Sequence, residues 1–133
     1  MISKNLQSLF LLSLVLIAAH GVEETLTGFR HTDSFVIALG SYLHMTPETF
    51  YWGFHVIWWL LLPSAYIFFR KSPILLPLLT LFSIVFAFEL HHIVKAAIAG
   101  QYYPGMITAI FYPILGVFFY KELIQNWRFR LKR

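Results

Sequence analysis

The 133-residue chain is 59% hydrophobic, 19% aromatic and only 12% charged, with a mean hydropathy of +0.70, which excludes both a soluble globular domain and a disordered chain. A net charge of +4 would suit a nucleic-acid binder, but most basic residues flank apolar runs, where membrane lipids are their natural partners and no nucleic acid is expected. With no cysteine, any nucleophile or metal ligand must come from histidine, carboxylate, hydroxyl or water.

A bilayer core about 30 Å thick is crossed by about 20 apolar residues in a helix. Four segments meet this requirement, at roughly 5–28, 48–69, 73–96 and 104–123. The fold class expected is therefore all-α: an integral membrane four-helix bundle, one transmembrane domain over residues 1–133. In the first segment, Lys4, the apolar run Leu9 to Ala19 and Ala19-His20-Gly21 also resemble a secretory signal with a small-x-small cleavage site. Cleavage after Gly21 would part His20 from Glu23, so the segment is read as a span. The stretch 30–48 is too polar to cross, but Phe35, Ala38, Leu39, Tyr42 and Leu43 recur at helical spacing after a potential Asp33 cap. A short interfacial helix between spans one and two is predicted there.

Thr46-Pro47, Ser72-Pro73 and Tyr103-Pro104 each place a proline at a first helical position, opening spans two, three and four. Pro63, Pro77 and Pro113 lie inside the same spans and predict kinks. Placing the N-terminus in the cytoplasm puts Lys4, Arg70, Lys71, Lys121, Arg128, Arg130, Lys132 and Arg133 inside and leaves only Arg30 and Lys95 outside. Both termini are then cytoplasmic, in the plasma membrane of a prokaryote. Trp127 and Phe129 among the last basic residues read as an anchor on the inner leaflet.

Ionisable side chains at membrane depth are costly, and each marks a candidate site. At 1.5 Å per residue His20 lies about 22 Å along span one and Glu89 about 24 Å along span three, while His55 is about 10 Å into the oppositely directed span two. All three reach one depth, in the outer half of the bilayer. Within span one, His20 converges with Glu23 and Glu24 on one helical turn. Glu89 and His92 have the Glu-x-x-His spacing of helix-bundle carboxylate metal sites, and His91 points about 100° away. Two or three imidazoles with three carboxylates suit a divalent transition metal, Zn, Fe or Mn. The competing reading pairs the same groups as polar glue between helices. Tyr51, Trp52, Trp58 and Trp59 read as belt and packing residues, and His31 and His44 as loop residues. The Gln101–Thr108 turn returns at the same end, so Tyr102 and Thr108 can overhang the cluster.

These residues carry a resemblance. His20-Gly21-Val22-Glu23-Glu24 is an HxxEE string, and His92 followed by Tyr102, Pro104, Gly105 and Thr108 is similar to a histidine ahead of a Tyr-x-Pro-Gly-x-x-Thr turn; Pro113 follows. Over roughly residues 15–115 the chain resembles the HXXEE family of small four-span membrane proteins. The resemblance implies that His20, Glu23, Glu24, His92, Tyr102 and Thr108 act together, and it implies no activity.

Three functions fit the residues. The first is a membrane-embedded metal-dependent enzyme, a hydrolase or di-iron oxidase acting on a lipid-like or amphipathic substrate in the outer half of the bilayer. Its metal ligands are His20, Glu23, Glu24, Glu89 and His92, with His55 as a further one. A carboxylate left free, Glu24 or Glu23, is its general base, and Tyr102 and Thr108 complete the catalytic set. The second is a transport or proton-relay subunit, for which the inner halves of spans one and three offer no ionisable step. The third is a structural accessory protein.

Overall fold

In the computed structural model, which describes residues 2–132, the chain is an all-α bundle whose four long apolar helical stretches are each able to cross a membrane. The first, α1 (Lys4–Thr27), starts at Ser3, whose hydroxyl accepts from the Leu6 amide. It ends at Gly28, which takes a left-handed conformation. Two short helices follow, α2 (Phe29–Thr32) and α3 (Ser34–Tyr42). Asp33 caps α3 as expected, accepting from the amides of Phe35 and Val36. The α3 face packed against the protein is Val36 and Gly40, whereas the predicted apolar stripe of Phe35, Tyr42 and Leu43 points outward.

The second span, α4 (Pro47–Phe69), has Pro47 in its first turn as expected, is capped by Thr46, whose hydroxyl accepts from the Thr49 amide, and runs unbroken through Pro63. The third span starts two residues later than expected and is made of α5 (Leu75–Phe82), α6 (Ile84–Phe88) and α7 (Leu90–Ala99). That shift moves Pro77 into the first turn of α5, where a missing amide costs no helical bond. The carbonyl of Pro73, which an amide at position 77 would have satisfied, accepts from Arg130 at 2.9 Å. The breaks fall instead at Ser83 and Glu89. At Ser83 the hydroxyl donates to the Thr80 carbonyl, Tyr120 donates to the Ser83 carbonyl, and both compete with the helical ladder.

The fourth span also begins later, as α8 (Met106–Ala109) and α9 (Phe111–Leu131), with the interruption just ahead of Pro113. Pro104 does not open the helix. It sits with Gly105 at the centre of a type II turn, with Gly105 at φ 86° and ψ −7° and the Met106 amide donating to Tyr103. The span continues to Leu131 rather than 123, so Trp127 lies on α9 itself, and Arg128 and Arg130 complement the carboxyl end of the helix dipole.

Spans one, three and four pack on one another through Leu6, Phe10, Leu79, Phe82, Phe86 and Phe119. This core fills the half of the bundle that holds the chain ends. The second span is attached through α1, α2 and α3 and is buried over only 6% of its central window, against 28–33% for the others. The half of the bundle opposite the chain ends carries the buried ionisable residues His20, Glu24, Asp33 and His92.

Candidate metal centre

Span one brings His20 and Glu24 to the interior, both 4% exposed, and span three brings His92, 0% exposed, with Glu89 beside it. The His20 Nε2 atom lies 3.2 Å from His92 Nε2. Glu89 Oε2 is 3.0 Å from the first of these nitrogens and 3.3 Å from the second. These three residues could hold a metal ion. The three donor atoms define a triangle with a circumradius of about 1.8 Å, of a size that would suit imidazole and carboxylate bonds of about 2.0–2.1 Å to a transition metal. Glu24 Oε1 is 3.3 Å from His92 Nε2 and 3.6 Å from His20 Nε2. Its other oxygen lies 3.1 Å from His55 Nε2 and 3.2 Å from the Tyr51 hydroxyl. The convergence expected of His20, Glu24, Glu89, His92 and His55 is therefore present.

Each of the three imidazoles spends its Nδ1 proton elsewhere. His92 Nδ1 donates to the carbonyl of Pro104 at 2.5 Å, and His55 Nδ1 donates to the carbonyl of Tyr51 at 2.9 Å. A carbonyl can only accept, which fixes the tautomer. His20 Nδ1 lies 2.6 Å from Thr108 Oγ1, whose own proton goes to Glu23 Oε2 at 2.5 Å, so here too Nδ1 is the donor. In the neutral rings all three Nε2 lone pairs then face the Glu24 and Glu89 carboxylates. Orientation of ligating histidines through the far nitrogen is the usual support of a metal site.

The type II turn is what makes the His92 contact available. Its central peptide is flipped relative to a type I turn, which sends the Pro104 carbonyl toward His92. Gly105 is required twice over, by its positive φ and because a Cβ there would lie 2.6 Å from His92 Nδ1 and 2.8 Å from His20 Cε1.

Glu23 does not join this focus, contrary to the expectation that it would serve as a metal ligand or free base. Its carboxylate accepts from the amides of Ile107 and Thr108, at 3.0 and 2.8 Å, from the Thr108 hydroxyl and from the Tyr102 hydroxyl at 2.7 Å. Four donors leave it no free lone pair of consequence, and two of them are amides at the start of α8 that lack helical partners. Glu23 therefore positions His20 by way of Thr108 and ties span one to span four. Tyr102 contacts Glu23 rather than the His and Glu cluster; burial and the Glu23 carboxylate raise its phenol above the ordinary value, keeping it a donor. His91 turns to the Phe88 carbonyl, away from the centre.

Two further sets of residues matter beyond those the sequence points to. Tyr51, a belt residue by its sequence position, is 1% exposed with its hydroxyl 3.2 Å from Glu24 Oε2 and from the Gly21 carbonyl. The available signal is its place one turn before His55, on the same helix face. The other set is Asp33, Lys95 and Tyr103, in which the buried Asp33 carboxylate pairs with the Lys95 ammonium and accepts from Tyr103 at 2.8 Å. It fastens α3 to the ends of spans three and four, while the ring of Phe29 of α2 lies tilted against His92, centroids 4.9 Å apart.

Comparison of the chain with models of known families, with curated proteins and with solved structures finds no match.

Proposed function

We propose that the protein is a membrane-embedded metal-dependent hydrolase acting on a lipid-like or amphipathic substrate in the outer half of the bilayer. In this reading His20, His92 and Glu89 hold the metal and Glu24 is the general base. The observation that carries it is the approach of His20 Nε2 and His92 Nε2 to 3.2 Å while both rings keep their protons on Nδ1. With both Nε2 atoms unprotonated, two lone pairs and a carboxylate repel one another unless positive charge lies among them, either a metal ion or a proton on one of the two rings, and the metal test below separates the two cases. Protonating both rings would instead set two N–H donors against each other.

Two imidazoles and one carboxylate are the ligand set of zinc hydrolases and of non-haem iron sites, and manganese is compatible with it. A metal bound there would supply Lewis acidity and a water acidified to near pH 7. The chain's own part falls to Glu24. One of its oxygens borders the two ligating nitrogens and can take a proton, while Tyr51 and His55 hold and compensate the other. A di-iron oxidase finds less support, because on the far side of Glu24 only His55 and Tyr51 are in reach among the described residues. A proton relay across the membrane is disfavoured by the apolar core that fills the other half of the bundle.

On its sequence motifs alone, the HxxEE string at His20, Glu23 and Glu24 and His92 ahead of Tyr102, Pro104, Gly105 and Thr108, we propose that the chain is a member of the HXXEE family. The distribution of basic residues supports cytoplasmic termini. The test is elemental analysis of detergent-purified protein, wild type against His20→Ala, with thermal unfolding in chelator. Stoichiometric Zn, Fe or Mn, a melting temperature lowered by chelator and restored by one of those ions, and loss of both effects in His20→Ala are expected. A metal-free wild type indifferent to chelator refutes the proposal.

A further inference from the structure

The 102–108 segment is held from two sides by two carboxylates that stand outside the candidate metal centre. Glu23 accepts from the Tyr102 hydroxyl, the Ile107 and Thr108 amides and the Thr108 hydroxyl, and through that last hydroxyl it sets the ring of His20. On the other side, the Tyr103 hydroxyl donates to Asp33 Oδ2 at 2.8 Å. Tyr103 is the first residue of the type II turn. Its carbonyl accepts from the Met106 amide, and the next carbonyl, that of Pro104, accepts from His92 Nδ1. Whatever fixes Tyr103 therefore fixes the acceptor of the His92 proton.

Asp33 reaches His92 by a second route. Its Oδ2 also pairs with the ammonium of Lys95, which follows His92 by one turn of α7, and that ammonium lies 3.3 Å from the Tyr103 hydroxyl. The helix that carries His92 and the turn that receives its proton are thus tied to one oxygen atom. The other oxygen, Oδ1, accepts from the amides of Phe35 and Val36, so the carboxylate cannot rotate without uncapping α3. The Asp33 amide donates to the Phe29 carbonyl at 2.9 Å and keeps α2 in place, with the Phe29 ring against both His92 and Tyr103.

Stability alone does not call for this arrangement. Asp33 is 1% exposed, and apolar side chains in place of a buried ion pair often leave stability equal or higher. An apolar set cannot, however, fix the direction of a hydroxyl and of the turn that carries it. Ligating histidines are oriented by an acceptor behind the far ring nitrogen, and for His92 that acceptor is a turn carbonyl that itself needs a fixed support.

We propose that Asp33, with Lys95 and Tyr103, is the positioning group of His92, as Glu23 is of His20. It holds the Pro104 carbonyl on Nδ1 and so keeps Nε2 directed at His20 and Glu89. This rests on the metal-centre reading above, to which it adds a support for the second histidine drawn from the α2–α3 segment.

The test uses the full-length protein in nanodiscs. Zn affinity is measured by competition with a chelator, and solvent exchange of the His92 Nδ1 proton is followed by NMR of the metal-free protein carrying isotope-labelled histidine. Tyr103→Phe removes one hydroxyl and no ligand; it should weaken Zn binding about 10-fold and speed Nδ1 exchange by at least as much. Asp33→Asn should act in the same direction, and if it fails to fold, Tyr103→Phe decides alone. Glu48→Gln breaks the Arg30–Glu48 pair, another tie of the α2–α3 segment but one with no path to His92, and should leave both measurements at the wild-type level. Equal effects of Glu48→Gln and Tyr103→Phe would reduce the Asp33 set to general support of that segment and overturn the proposal. An unchanged Nδ1 proton in Tyr103→Phe would overturn it as well. A wild type that binds no Zn but whose Nδ1 proton is released by Tyr103→Phe supports the positioning role and refutes the metal centre; bound Zn with both measurements unmoved by Tyr103→Phe does the reverse.

Discussion

Replacing Gly105 by alanine sets the geometry of the two histidines against a known backbone cost. An L-residue held at a φ of 86° pays about 1–2 kcal/mol for the left-handed conformation alone. The added Cβ also lands 2.6–2.8 Å from three atoms of the His92 and His20 rings, well inside van der Waals contact. Those rings are buried and tied through Nδ1, so relief requires moving them, an overpacking term of about 1–3 kcal/mol. Gly100 is the internal control: its φ is 63°, a Cβ on it would meet nothing within 4 Å, and Gly100→Ala carries the backbone term only. Unfolding free energies from denaturant titration, read by tryptophan fluorescence, should place Gly105→Ala at about 2–5 kcal/mol and Gly100→Ala at about 1–2 kcal/mol of destabilisation. Bound metal should be lost in the first variant and kept in the second. Equal destabilisation of the two, or full metal retention by Gly105→Ala, would refute the placement of the turn against the histidines.

Glu23→Gln keeps every metal ligand but weakens the hold on Thr108 and His20, so metal affinity measured by competition with a chelator should fall about 10- to 100-fold, whereas His92→Ala should abolish binding. Burial pushes the Asp33 carboxyl up, but Lys95, the Val36 amide and Tyr103 together hold it below its ordinary value. The folded state therefore binds fewer protons there than the unfolded state; this stabilisation is complete above about pH 4 and is lost as pH falls through the lowered folded value. Asp33→Asn should accordingly flatten the acid limb of a stability–pH curve, and an unchanged limb would contradict the ion pair. For topology, cysteine in place of the exposed His44 should react with an impermeant maleimide added outside cells and cysteine in place of Lys71 should not. Position 33, buried in the capping contact, is unsuitable for such labelling.

What can be read directly from the residues is whatever depends on spacing along one helix. Hydropathy locates the four spans, and equal depth along them brings His20, Glu24, Glu89, His92 and His55 to one level. Three features are harder to read because they depend on where a distant segment returns. Glu23 and Glu24 are neighbours about 100° apart on the helix, and which of them faces the interior is decided by the turn about 80 residues later. Pro104 resembles a first-turn proline; only the positive φ of its neighbour Gly105 marks the turn that delays span four. Asp33 is legible as a helix cap and Lys95 as an outer charge, yet nothing local indicates that they meet.

The network around Glu23 also constrains the order in which the protein can be made. Both carboxylates of span one enter the bilayer early, but the amides and hydroxyls that satisfy Glu23 belong to residues 102–108, in the turn and first helical residues of a span made about 80 residues later. Until that turn arrives, Glu23, one helical turn from the end of α1, lacks all four of its donors. The final lateral placement of span one is therefore expected to be completed only once the Tyr102–Thr108 turn is available to it. A nascent chain stalled before residue 102 should remain in contact with the insertion machinery, and release should coincide with emergence of the Tyr102–Thr108 turn.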